Sequence, residues 1–126
     1  MTEARPLRVA VIGSGPAGVY AADILTKAKE VKDGTVAVSI DIFDRYPAPF
    51  GLIRYGVAPD HPRIKGIIGA LHKIMDRGDI RFFGNVEYGV DVTLEDLREH
   101  YDAIIFATGA IKDAPLDIPG ADLDGS

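Results

Sequence analysis

Residues 9–18 read Val-Ala-Val-Ile-Gly13-Ser14-Gly15-Pro16-Ala17-Gly18, so a short apolar run ends in G-x-G-x-x-G, and an alanine-rich stretch follows. This pattern describes a strand that turns tightly into a helix whose N-terminus faces a pyrophosphate. Gly13 makes the turn, Gly15 lets the backbone approach a diphosphate, and Gly18 lets the helix lie close on the sheet. The same six residues can also form a purely structural turn, so their surroundings decide how much they mean.

Those surroundings alternate. Leu7–Ile12 is a β-branched run, and residues 17–30 carry an apolar stripe from Ala21, Ala22, Ile24, Leu25 and Ala28. Residues 36–43 form a second apolar run that ends at Asp44. In residues 63–77, Ile64, Ile67, Ile68, Leu71, Ile74 and Met75 fall on one helical face, with Gly78 as a stop. Residues 80–86 predict a third strand. Thr93 followed by Asp96 predicts a capped helix over 94–100, and residues 102–108 a last strand before Gly109. Such alternation implies an α/β fold with a Rossmann-like parallel sheet. We expect it to occupy residues 1–110, with 111–126, which hold Pro115, Pro119 and Gly120, as an exit segment.

Composition narrows the function classes. The chain has 126 residues and a net charge of −5, which argues against a nucleic-acid partner. No cysteine is present, so disulfides, thiolate metal sites and a redox dithiol are excluded within this chain, and we expect no metal site. No apolar run approaches the length of a membrane span, and residues 1–5 do not form a signal peptide, so a cytoplasmic protein is expected.

Asp44 stands where a dinucleotide site places the acid that accepts hydrogen bonds from ribose hydroxyls. A carboxylate there repels a 2′-phosphate, which favours FAD or NAD over NADP. Asp44 can equally be a polar residue at a strand end. Thr108-Gly109 fits the return of the chain to a diphosphate, or an ordinary turn after a strand. The stretch 46–63 holds Pro47, Pro49, Gly51, Gly56, Pro59 and Pro62 together with Phe50, Leu52, Ile53, Tyr55 and Val57. A loop that is both apolar and rigid suits binding better than linking.

That loop, Pro49-Phe50-Gly51-Leu52-Ile53-Arg54-Tyr55-Gly56-Val57-Ala58-Pro59-Asp60-His61-Pro62, follows the glycine motif and the acid. In this it resembles the ferredoxin–NADP reductases of the adrenodoxin-reductase type. The resemblance continues through 83–87, 102–109 and 116–120 and covers nearly the whole chain. It implies non-covalent FAD, with Gly13, Ser14, Gly15, Pro16 and Ala17 cradling the diphosphate and Asp44 with Arg45 at the adenosine ribose. It places Gly51 and Leu52 along the flavin or ribityl chain, backbone near Val86 and Tyr88 at the adenine, and Thr108-Gly109 on the diphosphate side. Family members often carry glutamate where this chain has Asp44, and a smaller apolar residue at Tyr88.

Electrons would pass from NADPH through FAD to a ferredoxin-type iron–sulfur protein, with no side chain of this chain needed as general acid or base. His61 would sit near the flavin, or else be a turn residue held between Pro59 and Pro62. Arg54 would steer an acidic partner or a phosphate, or pair with Asp60. Lys65, Lys73 and Arg77 would form a solvated helix face, with a patch for an acidic ferredoxin as the alternative, and His72 and His100 would lie on helix surfaces. No second G-x-G-x-x-G/A occurs. The expectation is therefore an N-terminal fragment whose NADP-binding domain lies elsewhere and which alone has little reductase activity. Two other readings remain: an NADPH-oxidising subunit of the glutamate-synthase type, and a non-catalytic dinucleotide-binding module.

Overall fold

The computed structural model describes residues 5–126. Four parallel strands, β1 (Leu7–Ile12), β2 (Val38–Phe43), β3 (Ile80–Phe83) and β4 (Ala103–Phe106), form one sheet in the order β3-β2-β1-β4. The parallel α/β sheet expected from the alternation is present, and β1 has the expected bounds. Side chains on β1 alternate between two faces. Val9 and Val11 join Ile40, Ile42 and Ile80 beneath helices α1 (Pro16–Thr26) and α5 (Ile67–Met75), while Ala10 and Ile12 meet Leu97 of α6 (Leu94–His100) on the other side.

Several elements are shorter than the periodicity suggests. The helix expected over 17–30 ends at Thr26; a separate turn, α2 (Lys29–Lys32), follows after Ala28 turns extended. The helix expected over 63–77 divides at Gly66 into α4 (Pro62–Lys65) and α5. Gly66 keeps right-handed helical dihedrals, but Gly69 N–H bonds the Gly66 carbonyl, so the hydrogen-bond ladder changes there. Ahead of them, part of the loop winds into α3 (Leu52–Tyr55). α6 starts as expected, with Thr93 and Asp96 bonding each other's backbone N–H in a capping box. Residues 107–126 hold no helix or strand.

Ion pairs tie the layers together. Arg77 does not belong to a solvated face: Nη1 reaches buried Asp23 of α1 at 2.6 Å and Nη2 reaches Thr26 at 3.0 Å, because α5 packs against α1. Hydrogen bonds from Lys27 and Arg77 hold the Asp23 carboxyl below its ordinary range, Lys27 having the larger effect, against the opposing cost of burial. Asp41 of β2 is almost fully buried and accepts Arg81 Nε at 2.7 Å, Arg81 Nη2 at 2.9 Å and the Tyr101 hydroxyl at 2.6 Å. Burial, then that hydrogen bond, pushes the Tyr101 phenol up to about 12.

The glycine loop is packed backbone to backbone. A Cβ on Gly18 would lie 2.0 Å from the Gly13 carbonyl oxygen. Gly18→Ala should cost about 2–3 kcal/mol, since backbone atoms cannot yield as a side chain can. Gly69→Ala in α5 meets nothing within 4 Å and should add roughly 0.5–1 kcal/mol. Urea unfolding of the two variants checks both signs.

At the opposite end of the sheet, Asp102 accepts Arg5 Nη1 and Nη2 at 2.7 and 2.6 Å and Arg8 N–H at 2.9 Å. The Arg5 hydrogen bonds, then the Arg8 N–H, lower its carboxyl to about 2. An unfolded aspartate titrates near ~3.9. The clamp therefore stabilises fully above about pH 4 and is lost as pH falls through the folded value. The difference in urea midpoint between the protein and Asp102→Asn should be flat above about pH 5 and should close between about pH 4 and 2.

Candidate dinucleotide site

The carboxyl ends of β1, β2 and β4 open on one cavity of about 420 Å³, within the range of small-molecule clefts. Of the expected residues, Gly13, Gly15, Pro16, Ala17, Asp44, Arg45, Gly51, Leu52, Val86, Tyr88, Thr108 and Gly109 all line it. Ser14 does not; it is fully buried beneath.

The turn after β1 depends on a missing side chain. Gly13 has φ +107°, and a Cβ there would lie 2.2 Å from the Ala107 carbonyl oxygen at the end of β4. α1 then begins at Gly15 with no side-chain cap and no acid in its first turn. Its first backbone N–H groups therefore lack side-chain partners, and the positive end of the helix dipole faces the cavity. Gly15 has an ordinary φ of −67°, and a Cβ on it would meet nothing within 4 Å. Gly15 itself lines the cavity. An uncapped helix start beside an open glycine is a cradle for a diphosphate.

Ser14 joins three segments. Its N–H donates to Asp44 Oδ2 at 2.9 Å, its hydroxyl donates to the same oxygen, and its carbonyl accepts Phe50 N–H at 2.8 Å. Asp44 Oδ1 accepts Tyr46 N–H at 3.0 Å. Three of the roughly four acceptor positions of the carboxylate are thus filled, leaving about one for a ribose hydroxyl rather than two. Arg45 folds its guanidinium over the Tyr46 ring at 4.9 Å and donates to its hydroxyl at 3.1 Å, and Tyr46 stacks on Tyr55 at 4.7 Å. On the far wall Tyr88 meets Phe106 edge-on at 5.1 Å.

The 46–62 loop is pinned by Phe50. This residue is fully buried in the main core, packs edge-on against His72 at 4.7 Å and holds φ +91°. A non-glycine residue there stores about 1–3 kcal/mol of strain, offset by the burial of an aromatic ring. Gly51 follows against Gly15, where a Cβ would lie 3.1 Å from the Gly15 Cα.

For two side chains the structure selects among the readings left open. Arg54 makes no pair with Asp60; Nε donates to the Pro49 carbonyl at 2.9 Å and the guanidinium covers Phe50 at 5.2 Å, because the α3 turn directs it back over the loop. His61 does not line the cavity; it is exposed, with Nε2 3.9 Å from Asp60 Oδ1. Tyr46, Glu87, Ala110 and Ile111 line the cavity without having been singled out. The aromatic wall has a signal only in hindsight of the fold, since Tyr46 directly follows the strand-end acid. No cluster of His, Cys, Asp or Glu suited to a metal occurs among the described residues, nor any helix long and apolar enough to cross a membrane.

Fold and site define an α/β domain of the Rossmann-like class with a cleft at the carboxyl ends of its strands. No family model matches the chain. Over nearly its whole length it is similar to part of the NADPH-ferredoxin and adrenodoxin reductases, as the loop motif implied. It is 46% identical over 118 residues to NADPH-ferredoxin reductase FprA of Mycobacterium leprae, covering 94% of this chain and 26% of the relative. The mitochondrial NADPH:adrenodoxin oxidoreductases of Arabidopsis thaliana and Homo sapiens are 46% and 42% identical, over 96% and 98% of this chain and 24% of each relative. FprA of Mycobacterium tuberculosis, solved in complex with NADPH, superposes with a TM-score of 0.84 at 45% identity, over 97% of this chain and 27% of that one. The chain spans about a quarter of the length of these relatives.

Phe50→Ala should cost about 3–5 kcal/mol, from the cavity left in the core. A urea midpoint within error of the unaltered protein would refute the pinning role.

Proposed function

We propose that this chain binds FAD and is the flavin-binding portion of an NADPH-dependent reductase that passes electrons to a ferredoxin-type iron–sulfur protein. The observation that carries the reading is the uncapped start of α1 at Gly15, which lines the cavity. The similarity to NADPH-ferredoxin and adrenodoxin reductases supports the electron donor and the class of acceptor.

The residues fit the cofactor. The backbone of residues 13–17 would hold the diphosphate, Asp44 one ribose hydroxyl, and Gly51 with Leu52 the edge of the flavin half. Bound FAD supplies a two-electron acceptor for a nicotinamide and a one-electron donor for an iron–sulfur cluster. The chain binds, orients and shields. Ser14 and Tyr46 fix the carboxylate of Asp44 before any ligand arrives, which lowers the ordering cost of binding. Tyr46, Tyr88 and Leu52 supply apolar walls that exclude water.

Titration of the 126-residue chain with FAD, read by quenching of flavin fluorescence, should show one site. Gly15→Ala should weaken it at least ~10-fold by occupying the cradle, because close packing leaves no room to yield. Its urea midpoint should shift little, since the new Cβ touches no protein atom and the lower unfolded-state entropy of alanine is offset by the loss of a favoured N-cap glycine. A chain that takes up NAD but not FAD would overturn the flavin reading and favour a non-catalytic nucleotide-binding module.

A further inference from the structure

The two oxygens of Asp44 are not equivalent. Each carboxylate oxygen has about two acceptor positions. Both positions on Oδ2 are taken by a single residue, because Ser14 donates its N–H at 2.9 Å and its hydroxyl to that oxygen. On Oδ1 the Tyr46 N–H, at 3.0 Å, takes one position and leaves one. Arg45 turns to the Tyr46 ring and hydroxyl and does not compete for it. Only Oδ1 therefore has room for a donor arriving from the cavity that Asp44 lines.

A ligand does not displace the Ser14 hydroxyl. Ser14 is fully buried, and Asp44 is the only acceptor of its hydroxyl among the described residues. Turned away from Oδ2, that hydroxyl would be a buried donor without a partner, and the penalty cancels the gain of a new bond to a sugar. The two hydroxyls of a ribose are neighbours on the ring. A carboxylate grips such a pair with one hydroxyl on each oxygen, and in this site the second oxygen is closed.

We infer that Ser14 sets the sugar specificity of the cavity: through Asp44 it restricts recognition to one hydroxyl of the adenosine ribose, so that a nucleotide lacking the other hydroxyl binds as well as the ribonucleotide. The inference rests on the proposed FAD reading, and only on its adenosine half. Ser14 does not line the cavity, so it acts as a positioning residue and never touches the sugar. The same bonds that fix the carboxylate in advance thus narrow what it can read.

The test compares ADP, 2′-deoxy-ADP and 3′-deoxy-ADP on the ¹⁵N-labelled chain, followed by the amide signals of Gly13, Gly15, Ala17 and Tyr46. One deoxy compound should bind at least ~10-fold more weakly than ADP, as expected for loss of a hydrogen bond to a charged group, and the other within about twofold of ADP. Ser14→Ala keeps the N–H bond and opens a position on Oδ2. In that variant both deoxy compounds should bind at least ~5-fold more weakly than ADP, whereas a merely structural role would change all three affinities alike. Absence of ADP binding, equal losses for the two deoxy compounds in the unaltered chain, no loss for either, or an unchanged pattern in folded Ser14→Ala overturns the inference. If Ser14→Ala does not fold, the contrast between the two deoxy compounds in the unaltered chain decides alone. FAD is titrated separately by its fluorescence. Failure of FAD to bind, with the contrast intact, refutes the flavin reading and leaves this inference standing.

Discussion

The site depends on backbone packing that excludes a single atom. Where β1 gives way to α1, the Gly13 Cα faces the Ala107 carbonyl and the Gly18 Cα faces the Gly13 carbonyl, with space for hydrogen only. The loop is thereby drawn onto the ends of both β1 and β4. The same contact lays α1 down on the sheet, where Val19 and Ala22 are fully buried. The helix start then stands over the strand ends instead of beside them. A methyl group at either position would lift the helix and move its unpaired N–H groups away from the place where β2 delivers Asp44.

A set of polar ties converts that packing into a site. Buried Ser14 uses its N–H, hydroxyl and carbonyl on two different segments, the end of β2 and the 46–62 loop. A second set joins the strand ends: Asp44 N–H bonds the Phe83 carbonyl, and Val86 N–H bonds the Asp44 carbonyl. Asp44 is thus held through both its backbone and its side chain. The strained dihedral of Phe50 fits this scheme, because in that conformation its ring enters the core while its N–H reaches Ser14. Strain at one residue is offset by burial and keeps a proline-rich loop in register with the glycine loop.

Local sequence foretold what local chemistry decides. β1 closes on an unbroken apolar run, Val9–Ile12, bounded by a glycine turn, and α6 opens on its own capping box, so both are legible without the rest of the fold. β3 was expected to reach residue 86 and stops at Phe83 for a long-range reason: a Cβ on Gly84 would lie 2.8 Å from the Pro47 carbonyl, and Asn85 turns left-handed with φ +57°. The pairing of Arg77 with Asp23 was not legible for the same cause, since it is set by a segment brought close only in the folded chain. In the site, the glycines, Asp44 and the 46–62 loop were legible from their order. The turn of Arg45 onto Tyr46 and the pairing of Tyr88 with Phe106 were not, because nothing in spacing says which exposed aromatic will find another.

The cavity is built to meet negative charge through its backbone and not through cations. Arg45 is the only cation among the cavity-lining residues, and Asp44 and Glu87 outweigh it. A diphosphate there would be met by fixed backbone N–H groups and by a helix dipole, which act at close range, within the first turn. Placing that recognition in the backbone ties it to packing: the glycines that close the turn against Ala107 and lay α1 on the sheet also decide where the first N–H groups of the helix point.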